Sequence, residues 1–432
     1  MKFNKSSQLL LVSAASLLAA SLVTACGTLT TDFVFVTSSK AAGTNNYGQV
    51  DVFEINQESG VMRQIPTSPF PSGGRDPVAE AVSTDQTNLY VVNEDDNSIV
   101  QFVIGNDGKV YPQNTVNTPG IFPVAVAVNG TNLYVLDTYQ PLPICSTAAP
   151  CSGSIAVLPI TVGSGSPPSD SLGTPVANGA LTYWPLCQYG YVSATNFTEC
   201  NPGATNDVIT PTAVNVLGSG AFVYVAAYDS TASPGAGYVF AFATSSSGAL
   251  VPLNGGVPYP AGNHPSAIAS DSTSSYLYVT DFNNSDVLGY SVASGGLAPL
   301  TNGAGGTNRF AAGDQPTAIV ADPKYPYLYV ANSLDSTVTA YSVSSGALTA
   351  LGTYATGTQP VAIGIDPSAN HFLYSANYLG NGVSGTVSGF ELSPTDGTLL
   401  NSQNSPYTSN AQPTAVTAIP HGVSQMGSSS SK

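Results

Sequence analysis

The chain has 432 residues, with 9 Lys or Arg against 25 Asp or Glu, a formal net charge of −16. Phosphate backbones and anionic surfaces repel such a chain, which excludes nucleic acid as a natural partner. Charged residues are only 8% of the total, whereas Gly (43) and Tyr (23) are abundant, a composition that suits a loop-rich, exported β protein kept soluble by neutral polar groups.

The first segment has a basic start at Lys2 and Lys5, an apolar run from Leu9 to Leu22, and the close Val23-Thr24-Ala25-Cys26. The run is too short and too rich in small residues for a membrane span and belongs to targeting, not to the fold. A small residue directly before cysteine resembles the bacterial lipobox. That implies a lipoprotein signal peptide over residues 1–25, a lipid on Cys26, a linker over 26–32, and contact with a membrane through the lipid. Gly27 after the cysteine, in place of aspartate, implies the outer membrane, facing the periplasm or the cell surface. An ordinary signal peptide with a free cysteine is the alternative.

From residue 77 onward a Pro-x-Ala pattern followed by alternating apolar residues opens seven times, at Pro77, Pro123, Pro211, Pro265, Pro316, Pro360 and Pro413. Strand units recurring every 40 to 50 residues are the signature of propeller blades. A second strand follows most openers: Leu89-Tyr90-Val91, Leu133-Tyr134-Val135, Val223-Tyr224-Val225, Leu277-Tyr278-Val279, Leu328-Tyr329-Val330 and Leu373-Tyr374. Third strands alternate, as over Val287–Val292, Val338–Val343 and Val387–Leu392, which predicts burial of one face. A glycine turn then leads to a fourth strand, at Gly60, Gly108, Gly248, Gly295, Gly346 and Gly397.

The two ends complete each other. Val34-Phe35-Val36, Gln49–Ile55 and Val61–Ile65 supply second, third and fourth strands without a first, and Pro413–Ile419 is a first strand with nothing after it. Pairing them closes the ring and removes two exposed sheet edges. The predicted fold is all-β, a seven-bladed propeller over residues 33–420, followed by a disordered Ser-rich tail over 421–432.

The openers Pro123 and Pro211 lie 88 residues apart. No second Leu-Tyr-Val strand lies between them, so the third blade carries an insertion, about 139–207, and not an eighth blade. Cys145, Cys151, Cys187 and Cys200 fall within it. An even cysteine number in an exported chain favours disulfides; of three possible pairings the sequence-local one, Cys145 with Cys151 and Cys187 with Cys200, is expected, with a zinc site as the alternative. Tyr183, Trp184, Tyr189 and Tyr191 make this the densest aromatic stretch. They form either a stacking surface for a sugar or peptide or the insertion's own packing. Asp137, Asp229, Asp281 and Asn332 recur after the second strands, as oxygens suited to calcium or as turn residues. Phosphate-loop, His-Glu-x-x-His and Gly-x-Ser-x-Gly patterns are missing, and no metal or cofactor is expected.

The strands Leu89-Tyr90-Val91-Val92-Asn93-Glu94, Leu277-Tyr278-Val279-Thr280-Asp281 and Leu328-Tyr329-Val330-Ala331-Asn332 resemble the seven-bladed lactonase family, which includes 6-phosphogluconolactonases, and the related surface-layer propellers with Tyr-Val-Thr-Asn-like repeats. The resemblance covers about residues 33–419. It implies Arg, His and Glu on the top face, with Gly-Pro-Arg-His leading into a first strand. Here that stretch is Gly73-Gly74-Arg75-Asp76-Pro77: the arginine is kept and the histidine is not. Glu94 matches the family's glutamate after a Val-Val-Asn strand. His371 is expected on the bottom face and His421 in the tail, which leaves His264 as the top-face histidine. As a lactone hydrolase the protein would use His264 as general base and Arg309 for the oxyanion. The leading expectation is instead a lipid-anchored scaffold that binds a ligand or protein on its top face without catalysis. Hydrolysis of an unphosphorylated lactone and a structural role at the cell surface are the alternatives.

Overall fold

The computed structural model describes residues 31–39, 47–56, 59–163, 170–201, 203, 207–366, 372–380, 384–409 and 411–420. Cys26, the segment before it, His371 and the tail with His421 lie outside the described residues. Each repeat folds into one antiparallel blade, and seven blades form the ring. The second blade is typical: innermost strand Pro77–Val82, then Asn88–Asn93, Ser98–Ile104 and Val110–Asn117. In the first blade Gln412–Ile419 is innermost and pairs with Thr31–Ser39, with Val34 opposite Ala418 and Val36 opposite Val416. The ring is therefore closed by joining the two ends of the described chain, which leaves no innermost strand unpaired.

The Pro-x-Ala pattern encodes a β-bulge. In each blade the proline and the alanine pair with consecutive residues of the second strand, and the residue between them is skipped. Proline brings no N–H to the ladder, and in three blades the hydroxyl of the skipped residue reaches the next blade. Ser266 Oγ donates to the carbonyl of Pro316, Thr317 Oγ1 to that of Pro360 and Thr414 Oγ1 to that of Pro77, at 2.5, 2.8 and 2.7 Å, whereas Thr212 Oγ1 donates to Ala226 O of its own second strand.

A second tie runs farther out. Tyr224 Oη donates to Gly295 O, Tyr278 Oη to Gly346 O and Tyr329 Oη to Gly397 O, at 3.0, 2.9 and 3.1 Å. The tyrosine of one Leu-Tyr-Val strand thus holds the turn glycine of the next blade. At Gly346, φ is +84° and a β-carbon would stand 2.6 Å from the Tyr276 ring, so both the conformation and the space require glycine.

The hydrophobic core is divided among the seven inter-blade spaces, one cluster to each. Third strands are consequently buried on both faces, not on one as their alternation suggests. Small residues in these strands make room within the blade itself: a β-carbon on Gly289 would meet Leu300 at 2.7 Å and Phe310 at 3.0 Å, both from the outer part of the same blade.

The third blade departs from the rule after Ser154–Thr161. Its fourth strand is reduced to Ser171–Leu172, and a separate hairpin, Tyr191–Ser193 with Asn196–Cys200, stands in the insertion. Disulfides join Cys145 to Cys151 and Cys187 to Cys200.

Candidate functional site

The innermost strands open on the top face, so the residue before each opening proline stands at the rim of the central channel. Around the ring these are Gln412, Asp76, Phe122, Thr210, His264, Gln315 and Gln359. Four of them, Asp76, Phe122, Gln315 and Gln359, hold left-handed φ values of 48°, 57°, 53° and 60°. That conformation is uncommon outside glycine and costly for phenylalanine, and backbone strain of this kind concentrates at ligand-binding positions. The residue after the second strand is tied to the same rim: Glu94 N donates to Asp76 O, Phe282 N to His264 O and Ser333 N to Gln315 O.

The rim has three sectors. Blades three to five are aromatic: Phe122 meets Tyr139 edge-on with centroids 6.0 Å apart, and His264 lies 4.0 Å from the Tyr228 ring and 5.5 Å from that of Phe282. All five rings are half-buried. Blades six, seven and one present the glutamines. The second blade presents Asp76 and Glu94. Burial, reinforced by Asp76 and Asp95, pushes the Glu94 carboxyl up to about 7. Desolvation lowers the His264 pKa against the opposing pull of Asp281, so its imidazole is neutral at neutral pH.

The four residues suggested for catalysis do not form one group. Arg75 binds Asp96 through Nε at 2.7 Å and Nη2 at 2.6 Å, and donates to Asp95 O. Arg309 lies on the short strand Arg309–Ala311, paired to the third strand of the fifth blade, with Nη1 2.5 Å from Asp286 and 3.8 Å from Asp281. Both described arginines on this face are thus held by aspartates. Arg75 and Glu94 stand on the second blade, His264 and Arg309 on the fifth, three steps around the ring. The polar residues expected after the second strands lie within those strands, at or near their last positions, and serve backbone amides: Asp281 accepts from the N–H of His264 and Asn263, Asp137 from Gly120, and Asn332 from Gly313. Among the described residues no group of three or more His, Cys, Asp or Glu is arranged to hold a metal.

Three of the four aromatics suggested for stacking are buried: Trp184, Tyr183 and Tyr191 are 1%, 4% and 6% exposed, against 46% for Tyr189. Trp184 pairs with Ile155 as Phe70 does with Val50, Tyr259 with Val239, Phe310 with Val287 and Tyr407 with Val387. It is the third blade's copy of a repeated core aromatic and is unavailable to a ligand. Tyr191 packs on Phe197 and donates to Pro185 O. The rim aromatics Phe122, Tyr139, Tyr228 and Phe282 and the three glutamines were not singled out from sequence. Their signal is positional, one place before Pro-x-Ala or at the end of a second strand.

Among solved structures, a candidate 6-phosphogluconolactonase from Bacteroides fragilis superposes with a TM-score of 0.64 at 18% identity, covering 90% of this chain and 98% of that one. The periplasmic gluconolactonase of Pseudomonas aeruginosa gives a TM-score of 0.63 at 17% identity, with 89% and 98% covered. A protein from Lactobacillus plantarum gives 0.62 at 16% identity, with 90% and 99% covered. No curated protein matches the chain in sequence. At these identities the likeness is one of fold. Residues 298–421 match the family model described as lactonase, 7-bladed beta-propeller, and the chain as a whole shares the seven-bladed propeller fold of these structures.

Proposed function

We propose that this protein is an exported, lipid-anchored binding propeller whose top rim takes an uncharged, ring-shaped, hydroxyl-rich ligand of the sugar class, without catalysis of its own. The division of the rim carries this reading. Half-buried aromatic faces on blades three to five suit the apolar face of a sugar ring, and the glutamines across the channel can donate to and accept from hydroxyls. A phosphate would need a free cation, and Arg75 and Arg309 are already paired with aspartates. Export, lipid on Cys26 and attachment to a membrane rest on the lipobox-like segment, and the two disulfides accord with an oxidising compartment.

Hydrolysis of a neutral sugar lactone is the second reading. Its support is the neutral His264 imidazole at the rim, together with the fold shared with a protein described as a periplasmic gluconolactonase. Ligand-observed NMR with neutral monosaccharides and aldonolactones, beside their phosphorylated counterparts, tests the proposal. Neutral ligands should bind, phosphorylated ones should bind more weakly, and Phe122→Ala or Tyr228→Ala should weaken binding about tenfold, or ~1.4 kcal/mol. Preference for the phosphorylated ligand, or no binding of neutral ones, refutes it. A wild-type lactone hydrolysis rate that collapses in His264→Ala would promote the enzyme instead.

A further inference from the structure

The innermost strands of all seven blades share one register, in which the residue after the Pro-x-Ala alanine faces the middle of the second strand. Six blades place an apolar β-branched residue there: Val416, Val126, Val214, Ile268, Ile319 and Ile363. The second blade places Glu80. A carboxyl at a position built for valine is costly unless it is compensated.

Glu80 sits where the chain ends meet. Its Oε2 accepts a hydrogen bond from Thr37 Oγ1, and its Oε1 is sealed from solvent with no hydrogen-bond partner. The backbones of Thr417 and Thr37 lie close enough to act on the carboxyl. Thr37 belongs to Thr31–Ser39 and Thr417 to Gln412–Ile419, the strands whose pairing closes the ring. Thr414 Oγ1 bridges the same seam, donating to Thr37 O and Pro77 O at 3.1 and 2.7 Å. Of the strands packed against Pro77–Val82, Asn88–Asn93 carries Tyr90 and Thr31–Ser39 carries Asp32, while Ile121–Asn129 and Gln412–Ile419 carry no ionisable side chain. None of the four bears a cation to offset a carboxylate, and burial pushes the Glu80 pKa up to about 8.

We propose that Glu80 is a proton-operated latch on ring closure: protonated, it holds the joined ends of the first blade against the second, and loss of its proton to solvent leaves a buried charge that loosens this seam. A folded-state pKa raised from 4.5 to about 8 means that the folded protein holds the proton more tightly, so stability is lost as pH rises through that window.

Chemical unfolding of wild type, Glu80→Gln and Glu80→Val between pH 4 and 9 tests it, because the difference curves cancel every other titration. The unfolding constant of wild type should rise relative to either variant by roughly a thousandfold across the window and then level off. At pH 9, hydrogen exchange in residues 31–39, 77–82 and 412–419 should be faster in wild type than in the variants, with blades four to six unchanged. If Glu80→Gln folds poorly, Glu80→Val supplies the comparison, since it restores the residue type of the other blades. Flat difference curves, or faster exchange spread evenly over the ring, overturn the proposal.

Discussion

Removing one oxygen atom at a time from the second-strand tyrosines separates a tie from a bystander. Tyr278 is fully buried, and its hydroxyl reaches Gly346 O at 2.9 Å. The Tyr278→Phe change keeps the ring and the packing but takes away the hydrogen bond and leaves a carbonyl of a buried glycine without its donor. A net hydrogen bond contributes about 1 kcal/mol, and an orphaned buried acceptor costs about 1 to 3 kcal/mol, so a loss of roughly 1.5 kcal/mol or more is expected. Tyr90 and Tyr374 are equally buried, yet their hydroxyls have no partner among the described residues. Tyr90→Phe and Tyr374→Phe should therefore be neutral or slightly stabilising. Urea unfolding followed by circular dichroism measures the four proteins, with midpoints compared at constant m. Equal losses in Tyr278→Phe and Tyr90→Phe would show that the hydroxyls act through something other than the inter-blade tie.

Two further outcomes follow from the same geometry. Alkylation of the unreduced protein should find no free thiol at Cys145, Cys151, Cys187 or Cys200. Reduction should loosen the insertion while sparing the inner strands, because the bridges close loops with sequence separations of only 6 and 13. Deleting residues 412–432 should destabilise the ring by several kcal/mol, since it uncovers the edge of Thr31–Ser39 and opens the core on both sides of the first blade. Unchanged melting of that truncation would contradict closure by Gln412–Ile419.

Much of the fold was legible because each landmark does a job that repeats. The turn glycines need a positive φ, the Leu-Tyr-Val strands need burial, and the unmatched strands at the two ends need each other. What the pattern alone could not convey was contact between repeats. Tyr278 reads as a strand residue and Gly346 as a turn residue, and only the ring shows that one holds the other. The third strands were misjudged for the same reason: alternation in a lone sheet signals one solvated face, whereas in a ring of blades the neighbours on either side cover both faces.

The site was less legible, because a rim is assembled from residues 40 to 50 positions apart that share no residue type. Arg75, Glu94, His264 and Arg309 stand out by chemistry, and the ring then sets them on opposite sides or pairs them with aspartates. Trp184 stands out by rarity, yet its register beside Phe70, Tyr259, Phe310 and Tyr407 makes it core. Phe122, Gln315 and Gln359 look ordinary until their backbone is seen: a side chain held at positive φ next to a bulge is retained against a conformational cost. Repetition in such a ring marks what the blades need from one another. Function is then to be sought where equivalent positions stop agreeing, at the rim before each proline and at Glu80 among six apolar counterparts.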